Sequence, residues 1–311
     1  MSNFPPVFML MGPTASGKTG LSLFLADNLP VEIVSVDSAL VYQGMDIGTS
    51  KPNQQTLKNY PHHLIDICSP VENYSAAQFR QDAENLMREI TLRGNIPLLV
   101  GGTMLYYRAL IQGLSNLPAA NQSVRKELEQ FVDAKGLPAL YARLQQVDPQ
   151  AAERIHSNDP QRIQRALEVY EISGKPISQW WAEQAQYDLP YSVTKIAVTT
   201  TARSLLHQRI EARFEQMLTE GLIDELSGLR ERFSLDLNKP AMRTVGYRQV
   251  WQYLEGDYSF SDMKYKAIVA TRQLAKRQLT WLRSEQDVHW LYADQGDIEQ
   301  MALNLFSHPP H

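Results

Sequence analysis

The chain has 311 residues, 43% hydrophobic and 21% charged, with a formal net charge of −4 and one cysteine. That composition excludes disordered and fibrous classes and provides enough chain for one large or two modest domains. No apolar run approaches the roughly 18 residues of a membrane helix, and Cys68 alone builds neither a disulfide framework nor a Cys-rich zinc site. No membrane partner is expected. The N-terminus lacks a basic stretch leading into an apolar core, so a reducing cytoplasm is the expected compartment.

In chain order, short apolar runs predict strands at 7–11, 32–36, 64–67, 96–100, 195–198 and 288–291. Continuous hydrophobicity fits strands covered on both faces, and their alternation with helical patterns predicts a parallel sheet. Between 117 and 190 the rhythm stops, and the sequence becomes helical and polar with proline punctuation. Asn158 or Asp159 as cap, with Pro160 in the first turn, marks a helix start there. The expected organisation is an α/β core of residues 1–116 and 191–311, interrupted by a helical insertion of residues 117–190. No internal repeat or low-complexity tract is evident.

The net charge is unevenly spread. Residues 240–283 hold 8 Lys+Arg against 3 Asp+Glu, whereas residues 284–311 hold 5 acids and no base. Lys264, Lys266, Arg272, Lys276, Arg277 and Arg283 fall in one acid-free stretch without Pro or Gly, expected to be the last helix, followed by a short strand and an acidic tail. At 100° per residue, Ile268, Ala275, Leu279 and Leu282 share one face, with Arg272, Lys276 and Arg283 in an arc beside it. A solvated helix face explains such a run, but an unneutralised row of cations also favours a phosphate backbone.

Gly12-Pro13-Thr14-Ala15-Ser16-Gly17-Lys18-Thr19 follows the first predicted strand and opens a helical pattern. This is a phosphate-binding loop in its required strand–loop–helix setting. The loop backbone and the helix N-terminus present N–H groups to an anion, Lys18 adds a point charge, and Thr19 offers a hydroxyl to Mg²⁺. The strand at 96–100 ends in Gly101-Gly102-Thr103 rather than an Asp, which argues against ATPase or GTPase chemistry. The strand at 32–36 leads into Asp37-Ser38, and ligands of open α/β sheets lie at the carboxyl ends of strands. Asp37 therefore faces the crevice of the phosphate loop. Two enzyme classes suit this pairing: a small-molecule kinase with ATP in the loop and Asp37 as base, or a group transferase whose donor carries a diphosphate. A regulatory nucleotide switch would need no Asp37 and would leave the basic helix unexplained.

Longer runs carry a resemblance. The loop at 12–19, Asp37-Ser38-Ala39-Leu40-Val41-Tyr42, Gly44-Met45-Asp46-Ile47-Gly48-Thr49 with Lys51-Pro52, and Pro61-His62-His63-Leu64-Ile65-Asp66 come first. Gly101-Gly102-Thr103-Met104-Leu105-Tyr106, Asn158-Asp159-Pro160-Gln161-Arg162, Arg243-Thr244-Val245-Gly246-Tyr247-Arg248 and Thr271-Arg272-Gln273-Leu274-Ala275-Lys276-Arg277-Gln278 follow. Together they resemble the tRNA dimethylallyltransferase (tRNA isopentenyltransferase) family, in its bacterial form, over nearly the whole chain.

The resemblance implies a P-loop NTPase-like fold and a monomer. It also implies transfer of a dimethylallyl group from its diphosphate to N6 of the adenine immediately 3′ of the anticodon, with Mg²⁺. Asp37 takes the proton of the attacking amine, while residues 14–19 hold the departing diphosphate. Ser38, Ala39 and Leu40 line the entry of the adenine, with Thr103 beside it, and the base must leave its stack to reach them. Many relatives carry Gln where this chain has Leu40, so the base is read here without a side-chain amide at that position. For the tRNA anticodon stem-loop the resemblance points to Arg125, to Gln161, Arg162, Ile163, Gln164 and Arg165, and to Arg243, Thr244, Val245, Gly246, Tyr247 and Arg248. It adds Lys276, Arg277, Gln278, Leu279, Thr280, Trp281, Leu282 and Arg283. Arg162 and Arg165, three apart, fit one helix face as a clamp for phosphates or unstacked bases. Tyr247 and Trp281 offer stacking surfaces, though core packing suits Trp281 better. Arg209 and Arg213, four apart, suit either the diphosphate or an ordinary surface pair.

Overall fold

The computed structural model describes residues 4–183 and 187–307. Its first half runs β1 (Pro6–Met11), α1 (Lys18–Asn28), β2 (Val31–Val36), α2 (Gln54–Asn59), β3 (His62–His63), α3 (Ala76–Leu92), β4 (Ile96–Gly101) and α4 (Met104–Gln112). Five helices follow: α5 (Gln122–Lys135), α6 (Leu137–Val147), α7 (Pro149–Arg154), α8 (Pro160–Ser173) and α9 (Ile177–Ala182). The chain then continues through β5 (Ser192–Thr199), α10 (Arg203–Thr219), α11 (Leu222–Arg232), a 3₁₀ turn (Ala241–Arg243), α12 (Tyr247–Leu254), α13 (Phe260–Leu282), β6 (Val288–Tyr292) and α14 (Ile298–Ser307). Two compact units result: residues up to Ile111 together with those from Leu189 on, and Gln112–Asp188.

The first unit is built on a six-stranded sheet in the order β3-β2-β4-β1-β5-β6, with every pairing parallel. Alternation along β1 explains the double covering. Val7, Met9 and Met11 enter one core with Phe79 of α3 and Tyr107 of α4, while Phe8 and Leu10 enter another with Leu21 and Leu25 of α1 and Phe306 of α14. Each fully buried side chain of this kind contributes about 1.5–3 kcal/mol. Tyr107 donates to the carbonyls of Leu10 (3.3 Å) and Leu99 (3.0 Å), which satisfies its buried hydroxyl and joins β1 to β4. A third core under α11, α12 and α13 holds Val41, Met45 and Tyr247.

Two sequence expectations are corrected. No strand forms at 64–67: β3 is the two-residue His62–His63, and Leu64 and Asp66 take φ of 62° and 56°. Leu64 is buried because a turn folds it into the core, not because it sits in the sheet. The acidic tail is likewise a helix, α14, because Ala302 and Phe306, four apart, bury one face, and Phe306 stacks on Phe8 at 4.2 Å.

The second unit has its own core, including Leu128, Leu144, Ile163 and Leu167. Asp159 caps α8 by accepting from the Arg162 N–H at 3.1 Å, with Pro160 in the first turn and left-handed Gly174 at the end, as the sequence pattern predicts. Asp148 accepts from the N–H groups of Ala151 (3.0 Å) and Ser178 (2.9 Å), pinning α7 to α9.

Candidate active site

The phosphate loop links β1 to α1, and its form follows from local backbone demands. Gly17, just before the helix, has φ of 99°, a conformation that disfavours any residue with a Cβ. Lys18 and Thr19 then open α1, so the N-terminal N–H groups of the helix face the loop. Lys18 Nζ donates to the Pro13 carbonyl at 2.7 Å and to Ser16 Oγ at 3.4 Å.

Thr14, Ala15, Lys18 and Thr19 line a cavity of about 190 Å³, together with Asp37, Ala39 and Leu40 from the end of β2. Gly12, Pro13 and Ser16 are buried beneath it. Asp37 Oδ1 accepts from the N–H groups of Ala39 (2.8 Å) and Leu40 (3.4 Å), which fixes the carboxylate as a short Asx turn. Ser38 and Thr103 lie outside the cavity lining; the Ser38 N–H donates to Thr103 Oγ1 at 3.0 Å, tying the end of β2 to that of β4. Leu40, Ile210, Phe214, Met217, Val245 and Leu274 make an apolar wall. The cavity lining thus combines cationic, phosphate-accepting groups, a carboxylate and an apolar wall.

Arg213 of α10 is the main addition to the sequence reading, which treated it as equally suited to the surface. It lines the cavity, and its Nε donates to Ser50 Oγ at 2.6 Å. Arg209 is not among the lining residues. Burial, then the Arg213 guanidinium, push the Lys18 ammonium down to about 7, while Asp37 pulls it up. Two cations facing one carboxylate leave the cavity poised for an anion.

Gln278 lines this same cavity. Its Oε1 accepts from the Thr14 N–H at 3.0 Å and its Nε2 donates to the Gly102 carbonyl at 2.9 Å. Leu274 and Thr271, one and two turns earlier on α13, line the cavity beside it. On another face of α13, Arg272, Lys276, Thr280 and Arg283 line a separate cleft of about 500 Å³, with Arg203 and His207 of α10 and Trp290 and Tyr292 of β6.

The basic row is partly neutralised, contrary to the sequence expectation. Glu211 and Glu215 of α10 pair with Arg272 (2.9 Å) and Lys264, and Lys266 lies 3.7 Å from the Tyr258 ring. Lys276, Arg277 and Arg283 remain exposed. Trp281 is half-buried beneath the Arg108 guanidinium at 4.5 Å.

Three residues grouped with the RNA contacts are buried and cannot reach a polynucleotide: Ile163, Tyr247 and Leu282, each 0% exposed. They fall inside contiguous runs of which a helix shows only one face to solvent. Leu279 is half-buried against Leu206 and Ala275. Arg162 and Arg165 do not form an open clamp. Arg162 is exposed, whereas Arg165 Nη1 donates to Glu168 at 2.7 Å and its Nη2 to the Pro118 carbonyl at 2.6 Å. Arg125 Nε meets the same buried carboxylate at 2.9 Å. Burial alone would raise the Glu168 carboxyl, but hydrogen bonds from Arg125 and Arg165 hold it below the usual range.

Comparison with known proteins agrees with this arrangement. A family model described as IPP transferase matches residues 40–285. A tRNA dimethylallyltransferase 2 from Hahella chejuensis is 51% identical over 316 residues, covering 97% of this chain and 95% of that protein. Among solved structures, a tRNA isopentenylpyrophosphate transferase from Bacillus halodurans matches with 37% identity and a TM-score of 0.71, over 97% of this chain and 95% of that one. A eukaryotic dimethylallyltransferase acting on tRNA matches with 26% identity and a TM-score of 0.80, over 98% of this chain and 80% of that one. The parallel sheet, the phosphate loop facing Asp37 and these near-full-length likenesses place the chain in the tRNA dimethylallyltransferase (IPP transferase) family.

Proposed function

We infer that this chain transfers the dimethylallyl group of dimethylallyl diphosphate to N6 of the adenosine immediately 3′ of the anticodon in tRNA, releasing diphosphate. The observation that carries the reading is the cavity itself, whose lining brings together the phosphate loop with Lys18, Arg213, Asp37 and an apolar wall. The wall suits a five-carbon prenyl chain, and the cations suit a diphosphate. The N6 lone pair forms the new bond to the allylic carbon as the carbon–oxygen bond breaks, and the electron pair leaves with the diphosphate. Loop N–H groups, Lys18 and Arg213 stabilise the charge growing there. The proton shed by the alkylated nitrogen passes to Asp37, whose second oxygen is free of the Asx turn. Family membership sets aside the kinase reading.

Among the described residues no group of three His, Cys, Asp or Glu could hold a metal ion unaided. The donor set instead fits a cation held by the Thr19 hydroxyl and the oxygens of a bound diphosphate, the mode Mg²⁺ prefers. When bound, Mg²⁺ supplies Lewis-acid stabilisation of the leaving diphosphate.

For tRNA the exposed cations are the natural contacts: Arg162 beside Gln161 on α8, Arg243 and Arg248 flanking buried Tyr247, and Arg277 with the α13 cleft. Trp290 and Tyr292 in that cleft offer stacking surfaces in place of Tyr247. A cytoplasmic monomer, as the family resemblance implies, is part of this proposal. No helix among the described residues is long and apolar enough to cross a membrane. Incubation with labelled dimethylallyl diphosphate and unmodified tRNA tests the assignment. Label should enter the tRNA, and ATP-dependent phosphorylation of a small molecule without such transfer would overturn it.

A further inference from the structure

We infer that Glu225 is a positioning residue for the diphosphate end of the cavity, acting through residues 46–50 and Ser50 on Arg213. Glu225 stands in the first turn of α11, outside the cavity lining. Its Oε2 accepts from the N–H groups of Asp46 (2.9 Å) and Ile47 (2.7 Å), and its Oε1 from those of Gly48 (3.1 Å) and the Tyr247 hydroxyl (2.5 Å). Three consecutive N–H groups converging on one point form a concavity that favours an anion, and here a carboxylate of the chain fills it.

The geometry leaves this segment one seat. A Cβ on Gly48 would lie 2.5 Å from the Tyr247 ring, so the ring fixes the height of the backbone while Glu225 fixes its direction. Two residues on, Ser50 adopts φ of 51° and its N–H donates to the Ile47 carbonyl at 2.9 Å. Ser50 Oγ then accepts from Arg213 Nε. Gly48, Thr49 and Ser50 also form part of the cavity wall. A change at Glu225 thus reaches the reaction through the placement of one guanidinium.

The inference rests on the cavity being the donor site, and a double-mutant cycle tests it on the full chain. Ser50→Ala and Glu225→Gln should each raise KM for dimethylallyl diphosphate about 10-fold while leaving KM for tRNA within twofold. Glutamine keeps one acceptor but turns an NH₂ toward N–H donors. The double variant should be no worse than Glu225→Gln alone, because both changes release the same guanidinium. Multiplying effects, or a Ser50→Ala enzyme with wild-type KM for the donor, would overturn the inference. If Glu225→Gln fails to fold, Tyr247→Phe takes its place in the cycle. Absence of label transfer by the wild-type chain would instead refute the function itself.

Discussion

Gln278 ties its own helix to Thr14, 264 residues away in sequence, by accepting the loop N–H at 3.0 Å. The other end of the same amide holds the Gly102 carbonyl, so the phosphate loop and the end of β4 are set by one side chain. Gln278→Ala leaves two partly buried backbone groups unpaired, at a cost of about 1–3 kcal/mol for each group left unsatisfied. Affinity for inorganic diphosphate, read by calorimetry, should fall about 10-fold or more. Wild-type affinity in that variant would show that the loop holds its shape without Gln278.

The depressed Lys18 ammonium makes a signed pH prediction. In the free protein it titrates near 7, and a bound diphosphate favours the charged form and raises that value. Below pH 7 the ammonium is already present; above it, binding must take up a proton, so affinity falls as pH rises. The diphosphate's own titration is common to wild type and Lys18→Met, so the difference between them isolates the lysine. That difference should shrink steadily from pH 7 to 9. A constant difference would contradict the assignment.

Glu168 governs two of the expected RNA contacts from beneath. Its folded-state carboxyl is held low by Arg125 and Arg165, so its stabilisation is complete above the ordinary carboxylate range and is lost as pH falls through the depressed value. Glu168→Gln strands two guanidinium groups against a neutral amide. The helical unit should lose about 1–3 kcal/mol, seen as faster hydrogen exchange in α5 and α8, and its acid sensitivity should flatten. Unchanged exchange would mean that the arginines find other partners.

Much of this site was legible because its signals are local. The phosphate loop is one contiguous run between a strand and a helix, and Asp37 follows directly from the end of β2. Arg213 and Ser50 meet across 163 residues, and no spacing rule reports such a pair. The resemblance groups Gln278 with Lys276 and Arg277, yet at 100° per residue it shares a face with Thr271 and Leu274, which line the cavity, and not with its basic neighbours. Tyr247 was misjudged for a related reason: an aromatic beside two arginines reads as a stacking surface until Glu225 and Gly48 account for both its hydroxyl and its ring. Leu64 shows that an apolar side chain can be buried by a turn as readily as by a strand.

The α13 cleft makes an electrostatic prediction. Lys276→Ala with Arg283→Ala removes two exposed cations from its lining. The slope of log affinity for tRNA against log salt should become shallower by roughly 1–2, with donor KM unaffected. An unaltered slope would mean that this face is solvated and nothing more.

The central claim is that Asp37 takes the proton as the amine is alkylated, while the loop end holds the diphosphate. Rapid-quench single turnover with both substrates saturating measures that step alone. Asp37→Ala should slow it by about 10² or more, with donor affinity nearly unchanged because the diphosphate contacts lie on Lys18 and Arg213. A single-turnover rate equal to that of wild type would remove Asp37 from the chemistry and contradict the account.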